Sequence, residues 1–154
     1  MTLKISIIIP NYNGEKTLRR TLSSLTKQNY EAIEIIVVDG GSKDSSIDII
    51  KEFDHVIHWW VSEPDSGQSN AINKGFSHCT GDIVNWICSD DVLAPNALEI
   101  ISQRFLDFPD TDVLVGAGMV QFTETSSIPA SRSSLTWLKN LKTKPWLPKH
   151  QAKS

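Results

Sequence analysis

The chain has 154 residues and a mass of 17.2 kDa, the size of one ordinary domain with room for a real core. A hydrophobic share of 40% and a charged share of 21% exclude a disordered chain. No apolar stretch approaches the ~18 residues that a membrane span needs. The net charge of −3 hides an asymmetry, because no acidic residue follows Glu124. Arg132, Lys139, Lys142, Lys144, Lys149 and Lys153 lie beyond it, so that segment carries +6 and residues 1–124 carry −9 by difference from −3. The opening Met1-Thr2-Leu3-Lys4-Ile5 enters a strand-like run without a basic leader or a cleavage site, which predicts a cytoplasmic protein. Cys79 and Cys88 suit reduced thiols of that compartment and make no metal-binding spacing. His55, His58, His78 and His150 are too scattered for a ligand set.

In chain order, Ile5-Ser6-Ile7-Ile8-Ile9 is a β-branched run ended by Pro10, hence a first strand. Asn13 is placed to cap a helix whose Leu18, Leu22 and Leu25 form one apolar stripe. Residues 33–38 predict a second strand, closing on Asp39-Gly40-Gly41-Ser42, and Asp44 or Ser45 then opens a short helix with Ile47 and Ile50 inward. Residues 56–61, with Trp59 and Trp60, make a third strand. Residues 68–79 carry Ala71, Ile72, Gly75, Phe76 and Cys79 at helical spacing, stopped by Thr80-Gly81. Residues 82–87 are a fourth strand. Pro95-Asn96 opens a helix that buries Leu98, Ile101 and Phe105 and ends at Pro109, and residues 112–117 are a fifth strand.

Strands that alternate with helices, and are apolar throughout, predict a parallel sheet covered by helices on both faces. Ligands of such sheets bind outside the carboxyl ends of the strands. Pro10-Asn11-Tyr12-Asn13, Asp39, Ser62-Glu63-Pro64-Asp65 and Asp90-Asp91 all fall at such ends. Alone, Asp90-Asp91 reads first as a solvated turn that caps the next helix. Adjacent carboxylates also suit a hard cation, which takes oxygen ligands from one or two carboxylates and from substrate phosphates. Convergence of four polar groups on one edge favours the second reading. Asp110-Thr111-Asp112 spells the Asp-x-Asp of metal–nucleotide sites, yet it runs from a helix into a strand and belongs to the opposite edge.

The stretch from 131 to 154 differs in kind from residues 1–130. Leu135, Trp137, Leu138 and Leu141 recur at helical spacing with Ser133 or Ser134 as a cap, which predicts a helix. With Lys139, Lys142, Lys144 and Trp146 it suits an anionic membrane surface. Packing on the domain with its lysines in solvent fits slightly better.

At this point the residues resemble the family 2 glycosyltransferases. The resemblance rests on Ile7-Ile8-Ile9-Pro10-Asn11-Tyr12-Asn13, Ile36-Val37-Val38-Asp39-Gly40-Gly41-Ser42-Lys43-Asp44 and Ser62-Glu63-Pro64-Asp65-Ser66-Gly67. It continues in Ala71-Ile72-Asn73-Lys74-Gly75, Thr80-Gly81-Asp82 and Ser89-Asp90-Asp91, all in the family's order across residues 4–95. It implies an α/β protein of the GT-A type, a Rossmann-like three-layer α/β/α sandwich with a mainly parallel sheet. It also implies inverting transfer of a sugar from a nucleotide diphosphate to an acceptor hydroxyl, in polysaccharide or glycoconjugate synthesis. Residues 1–130 would then be the nucleotide-sugar-binding domain, and residues 131–154 the start of an acceptor-side region.

By the same resemblance, Pro10, Asn11, Tyr12 and Asn13 line the nucleotide, with Tyr12 near the base. Asp39 accepts a hydrogen bond from the base, most typically uracil. Asp65 and Lys74 approach the base–ribose and diphosphate, Asp90 contacts ribose or sugar, and Asp91 coordinates Mg²⁺ or Mn²⁺. Asn73 and Gln68 either support these groups from behind or contact the sugar. The implied partners are a UDP-sugar donor and a carbohydrate or lipid-linked acceptor, with the basic tail as a peripheral membrane contact at the cytoplasmic face and no nucleic acid. The acceptor half departs from the family, since Gly116-Ala117 stands where relatives commonly have Gly-Asp and Glu124 is the sole positional candidate for the base. A non-catalytic nucleotide-sugar-binding module is the competing reading. An NAD-dependent enzyme is disfavoured, because the first strand leads into Pro-Asn-Tyr-Asn and not into Gly-x-Gly-x-x-Gly.

Overall fold

The computed structural model describes residues 2–119 and 132–139. Its elements are β1 (Ile5–Asn11), α1 (Leu18–Thr26), β2 (Ile33–Asp39), α2 (Ser46–Glu52), β3 (Trp59–Ser62), α3 (Gln68–Phe76), β4 (Ile83–Trp86), α4 (Ala97–Asp107), β5 (Val113–Met119) and β6 (Arg132–Lys139). The strands form one six-stranded sheet in the order β3-β2-β1-β4-β6-β5. β3, β2, β1 and β4 run parallel, while β6 pairs antiparallel with both β4 and β5. β5 therefore runs in the same direction as β4.

The apolar strands are explained by burial on two faces. Ile5, Ile7 and Ile9 of β1 join Ile35 and Val37 of β2 and Ile83 of β4 beneath one helical layer. That layer is α1 (Leu18, Leu22, Leu25), α2 (Ile49, Ile50) and α4 (Leu98, Ile101, Phe105). Ile8, Ile36, Val38 and Val84 point to the other face, where α3 supplies Ala71. The arrangement is a three-layer sandwich with a mainly parallel sheet, as the alternation of elements implied. α3 lies close on the sheet because Gly75 meets it: a Cβ there would stand 2.4 Å from Ile8 Cγ2. That close approach brings Gln68, at the start of α3, to the carboxyl edge of the strands.

Several local expectations are corrected. Asn13 does not cap α1. Its φ is 50°, its Oδ1 accepts from Lys43 N at 2.9 Å, and a turn at Gly14 delays the helix to Leu18. The third strand starts at Trp59, because Val56 N and Ile57 N are still bonded back to Phe53 O in the turn that ends α2. α3 ends at Phe76, short of Cys79. The helix expected after Ser131 is instead strand β6, inserted between β4 and β5, with Val84 opposite Leu138 and Val113 opposite Leu138. The open edge of β4 supplies backbone partners that outweigh helical spacing in a short segment. Residues 132–139 thus lie in the same sheet as the domain they were expected to follow. The remaining tail residues, Lys142, Lys144, Trp146, Lys149 and Lys153, lie outside the described residues, as does Glu124.

One polar network gathers around the buried Glu34. Glu34 of β2 accepts from Lys4 Nζ at 2.7 Å, Ser6 Oγ at 2.5 Å, Thr80 Oγ1 at 2.6 Å and Thr80 N at 2.7 Å. Gly81 N donates in turn to Ser6 Oγ at 2.8 Å, so the network ties β1, β2 and the entry to β4 at the amino edge. Burial pushes the Glu34 carboxyl up, but the bonds from Lys4, Ser6 and Thr80 outweigh it and hold the group at about 2, against 4.5 for an ordinary glutamate. A depressed folded value adds stability that is present above the unfolded value and is lost as pH falls towards the folded one. Glu34→Gln should lower stability by about 1–3 kcal/mol at pH 7. In urea denaturation the gap between wild type and variant should narrow as pH falls from 4.5 towards 2.

Candidate nucleotide-sugar site

The carboxyl ends of β1, β2 and β3 stand in one row, with Asn11 opposite Asp39 and Asp39 opposite Ser62. Asp39 sits in the middle and is fully buried. Its Oδ1 accepts from Asn11 Nδ2 at 2.7 Å and from the Ser42 hydroxyl. Its Oδ2 accepts from Ser42 N at 2.9 Å, Gly41 N at 3.1 Å and Ser62 Oγ at 2.6 Å. Burial raises the Asp39 carboxyl, but donation from Ser42, Ser62 and Asn11 prevails and holds it below the ordinary aspartate value. The carboxylate is a structural anion that fixes three strand ends and folds the Gly40–Ser42 loop around itself. Gly41 completes that loop with φ 81°, in the left-handed region that favours glycine.

Above this row lies a cavity of about 650 Å³. β1 and its exit contribute Pro10, Asn11 and Tyr12, and the loop after β2 contributes Gly40, Gly41 and Lys43. The loop after β3 and the start of α3 contribute Pro64, Asp65, Gly67, Gln68 and Ala71, and the exit of β4 contributes Cys88 and Ser89. Tyr12 is 65% exposed, so its ring is open to a planar ligand. Asp65 folds its own loop, with Oδ1 accepting from Gly67 N at 2.7 Å. Its carboxylate also packs on Gly40, where a Cβ would lie 3.0 Å from Oδ2.

Asp90 and Asp91 follow Ser89 directly. Asp91 N donates to Cys88 O at 3.0 Å and Cys88 N donates to Asp91 Oδ2 at 2.9 Å, which closes a tight turn. Cys88 Sγ and the Asp90 and Asp91 carboxylates each offer a ligand atom within 4.8 Å of the others. Burial, and then the charges of Asp91 and Asp90, push the Cys88 thiol up, against the opposing bond from Gln68 Nε2 at 3.1 Å. The oxygens of the two aspartates are therefore the hard donor set, and they fit a divalent cation that also takes phosphate oxygens.

Of the residues that the sequence singled out, Pro10, Asn11, Tyr12 and Asp65 line the cavity, and Asp90 and Asp91 stand beside it at the β4 exit. Asp39 lies beneath the lining, where its oxygens accept from five protein donors. Asn13 is engaged with the loop after β2, its N donating to Ser42 Oγ at 2.7 Å. Lys74 lies farther along α3, and its Nζ pairs with Glu63 Oε1. Cys88 and Lys43 were missed as lining residues. Lys43 lay within the matched block, but a lysine after two glycines and a serine carries no signal of its own. Asp110 and Asp112 flank the start of β5, whose Val113 shares the partner Leu138 with Val84 at the start of β4, so they occupy the amino edge as expected.

Residues 6–152 match the glycosyl transferase family 2 profile, and the chain belongs to that family. Among curated proteins it is 36% identical over 115 residues to glycosyltransferase GlyA of Streptococcus pneumoniae, covering 73% of this chain and 16% of that protein. Among solved structures it is similar to S. aureus TarS, with 30% identity, a TM-score of 0.65, and 72% and 21% of the two chains covered. TarS 1-349 in complex with UDP-GlcNAc superposes with a TM-score of 0.63 at 27% identity, covering 72% of this chain and 33% of that one. A mannosyltransferase from Pyrobaculum calidifontis, solved with GDP-Man and Mn²⁺, shares the fold with a TM-score of 0.65 at 21% identity, covering 73% and 35%. The fold is of the GT-A type. The chain thus spans well under half the length of each of these relatives.

Asp39→Asn replaces one acceptor oxygen by an NH₂ that faces donors. It should cost about 1–3 kcal/mol, read as a lower urea midpoint with unchanged slope.

Proposed function

We propose that this chain is the donor-binding part of an inverting glycosyltransferase, which transfers a sugar from a UDP-sugar to a carbohydrate or lipid-linked hydroxyl in polysaccharide or glycoconjugate synthesis. The observation that carries the reading is the cavity at the carboxyl edge, open between Tyr12, Gly40-Gly41 and Asp65 and ending at Ser89 before Asp90-Asp91. It has room for a nucleotide diphosphate, and its glycine loop lets a ligand approach the backbone closely. Tyr12 would stack on the base, and Asn11, Pro10 and Asp65 would border the base and ribose. UDP is preferred because the TarS fragment similar at 27% identity was solved with UDP-GlcNAc.

Charge supports a divalent cation. Asp65 and Lys43 line the cavity, Asp39 lies below it, and Asp90 and Asp91 stand beside it, so a diphosphate would face more anions than cations. Asp91, with Asp90 beside it, would hold Mg²⁺ or Mn²⁺. When bound, such an ion stabilises the charge that develops on the departing diphosphate. The chain's own contribution is to orient the donor and to place Asp90 near the ribose or sugar. Asn73 and Gln68 remain sugar contacts in this proposal, with Gln68 at the cavity, while Lys74 could reach a phosphate only by leaving Glu63. The base that deprotonates the acceptor would come from the acceptor side. Among the described residues Glu99 and Asp107 lie on α4 and Asp110 on its exit, away from the cavity lining.

We place the protein at the cytoplasmic side, with the basic tail residues Lys142, Lys144, Lys149 and Lys153 as its contact with an anionic membrane face. No helix among the described residues is long and apolar enough to cross a membrane.

Calorimetric titration with UDP-GlcNAc, UDP-glucose and GDP-mannose, each with and without Mn²⁺, tests the reading. Metal-dependent binding to a UDP-sugar is expected, weakened about 10-fold or more in Asp91→Ala. Absence of binding to all three, or binding indifferent to Asp91, rejects the site. Binding without donor hydrolysis or transfer would favour a non-catalytic binding module.

A further inference from the structure

Helix α1 has a second buried face besides its leucines. Thr21, Ser24 and, just past the helix end, Gln28 follow at three- and four-residue spacing, and all are at most 9% exposed. Buried polar groups require partners, and these find them in a distant stretch of main chain. Thr21 Oγ1 donates to Ser89 O at 2.8 Å, and Leu93 N donates to Ser24 Oγ at 3.2 Å. Gln28 Nε2 donates to Ala94 O at 3.0 Å, and its Oε1 accepts from Leu98 N at 3.4 Å. At the solvent side Arg20 Nη2 donates to Asp90 O at 3.3 Å. Every partner across the gap is backbone of residues 89–98, the segment that carries both aspartates.

Two of these bonds fall where they govern the aspartates directly. Ser89 O belongs to the peptide that enters Asp90, and Asp90 O to the peptide that enters Asp91. Thr21 and Arg20 therefore hold the peptide planes on both sides of Asp90. Among the described residues the turn is otherwise closed by bonds between Cys88 and Asp91, and it must hold two like charges side by side. We propose that Thr21 and Arg20 are positioning residues of the donor site, holding the Asp90-Asp91 turn so that the Asp91 carboxylate meets the divalent cation. This rests on the donor-site reading above. Partners that orient metal-binding carboxylates typically govern affinity by about 10–100-fold.

Thr21→Val keeps the shape and removes the donor, Thr21→Ser restores it, and Arg20→Met removes the outer donor at an exposed position where folding is not at stake. Each variant is titrated calorimetrically with UDP alone and with UDP plus Mn²⁺, and amide hydrogen exchange of the Cys88–Leu98 segment is followed without ligand. The expected result is unchanged affinity for UDP alone and about 10-fold weaker binding with Mn²⁺ in Thr21→Val. Recovery in Thr21→Ser, a smaller loss of the same kind in Arg20→Met, and faster exchange at the Asp91 amide in Thr21→Val should accompany it. A Thr21→Val protein that keeps the full Mn²⁺ gain, or loses affinity equally with and without Mn²⁺, overturns the proposal. If Thr21→Val does not fold, a wild-type Mn²⁺ gain in Arg20→Met overturns it. If the wild type itself shows no Mn²⁺ gain, the donor-site reading fails, and unchanged exchange at Asp91 then rejects the positioning role separately.

Discussion

The buried carboxylate of Asp39 is the constraint on which the site depends. An ionised group without water must be surrounded by donors, or it destabilises the fold or takes up a proton. Here the donors come from the end of β1, the loop after β2 and the end of β3. Meeting the electrostatic demand of one group therefore aligns the strand ends and curls the glycine loop. It also leaves the space above them as a defined cavity.

β2 carries two buried carboxylates, and their neighbourhoods differ in a way that separates scaffold from site. Glu34, at the amino edge, has a lysine partner and a closed set of hydroxyl and amide donors. Asp39, at the other end, has only neutral donors, and the loops that supply them continue into the cavity wall. The apolar middle of the strand, buried by helices on both faces, keeps the two networks apart. The amino edge thus holds the strands in register, and the carboxyl edge is left to bind.

The arrangement also explains why the aspartate pair needs support from elsewhere. Like charges in one turn repel. A bound divalent cation would offset that repulsion, but the turn must already present its oxygens together. The polar face of α1 grips the backbone of that turn, so the element that closes the core on its leucine side also orders the site on its threonine side. Packing and positioning are here two faces of one short helix.

The sequence by itself determined the layers, the edge and the family blocks. Unbroken β-branched runs between helical spacings demand a sheet buried on both sides, and that topology alone sends Asp65 and Asp90-Asp91 to one edge and Asp110-Thr111-Asp112 to the other. Periodicity misled where the partner was remote. The segment 132–139 has helical spacing of its leucines, yet β4 offered an open edge that only the assembled sheet displays. Asn13 reads as a cap until its side chain meets Lys43 N across the loop. Asp39 was legible as a functional acid, but its inward orientation was decided by Ser62, Asn11 and Ser42 arriving around it. Local pattern specifies which face a residue takes. Which groups it meets there depends on hydrogen bonds between residues far apart in the chain, and only the tertiary structure brings those together.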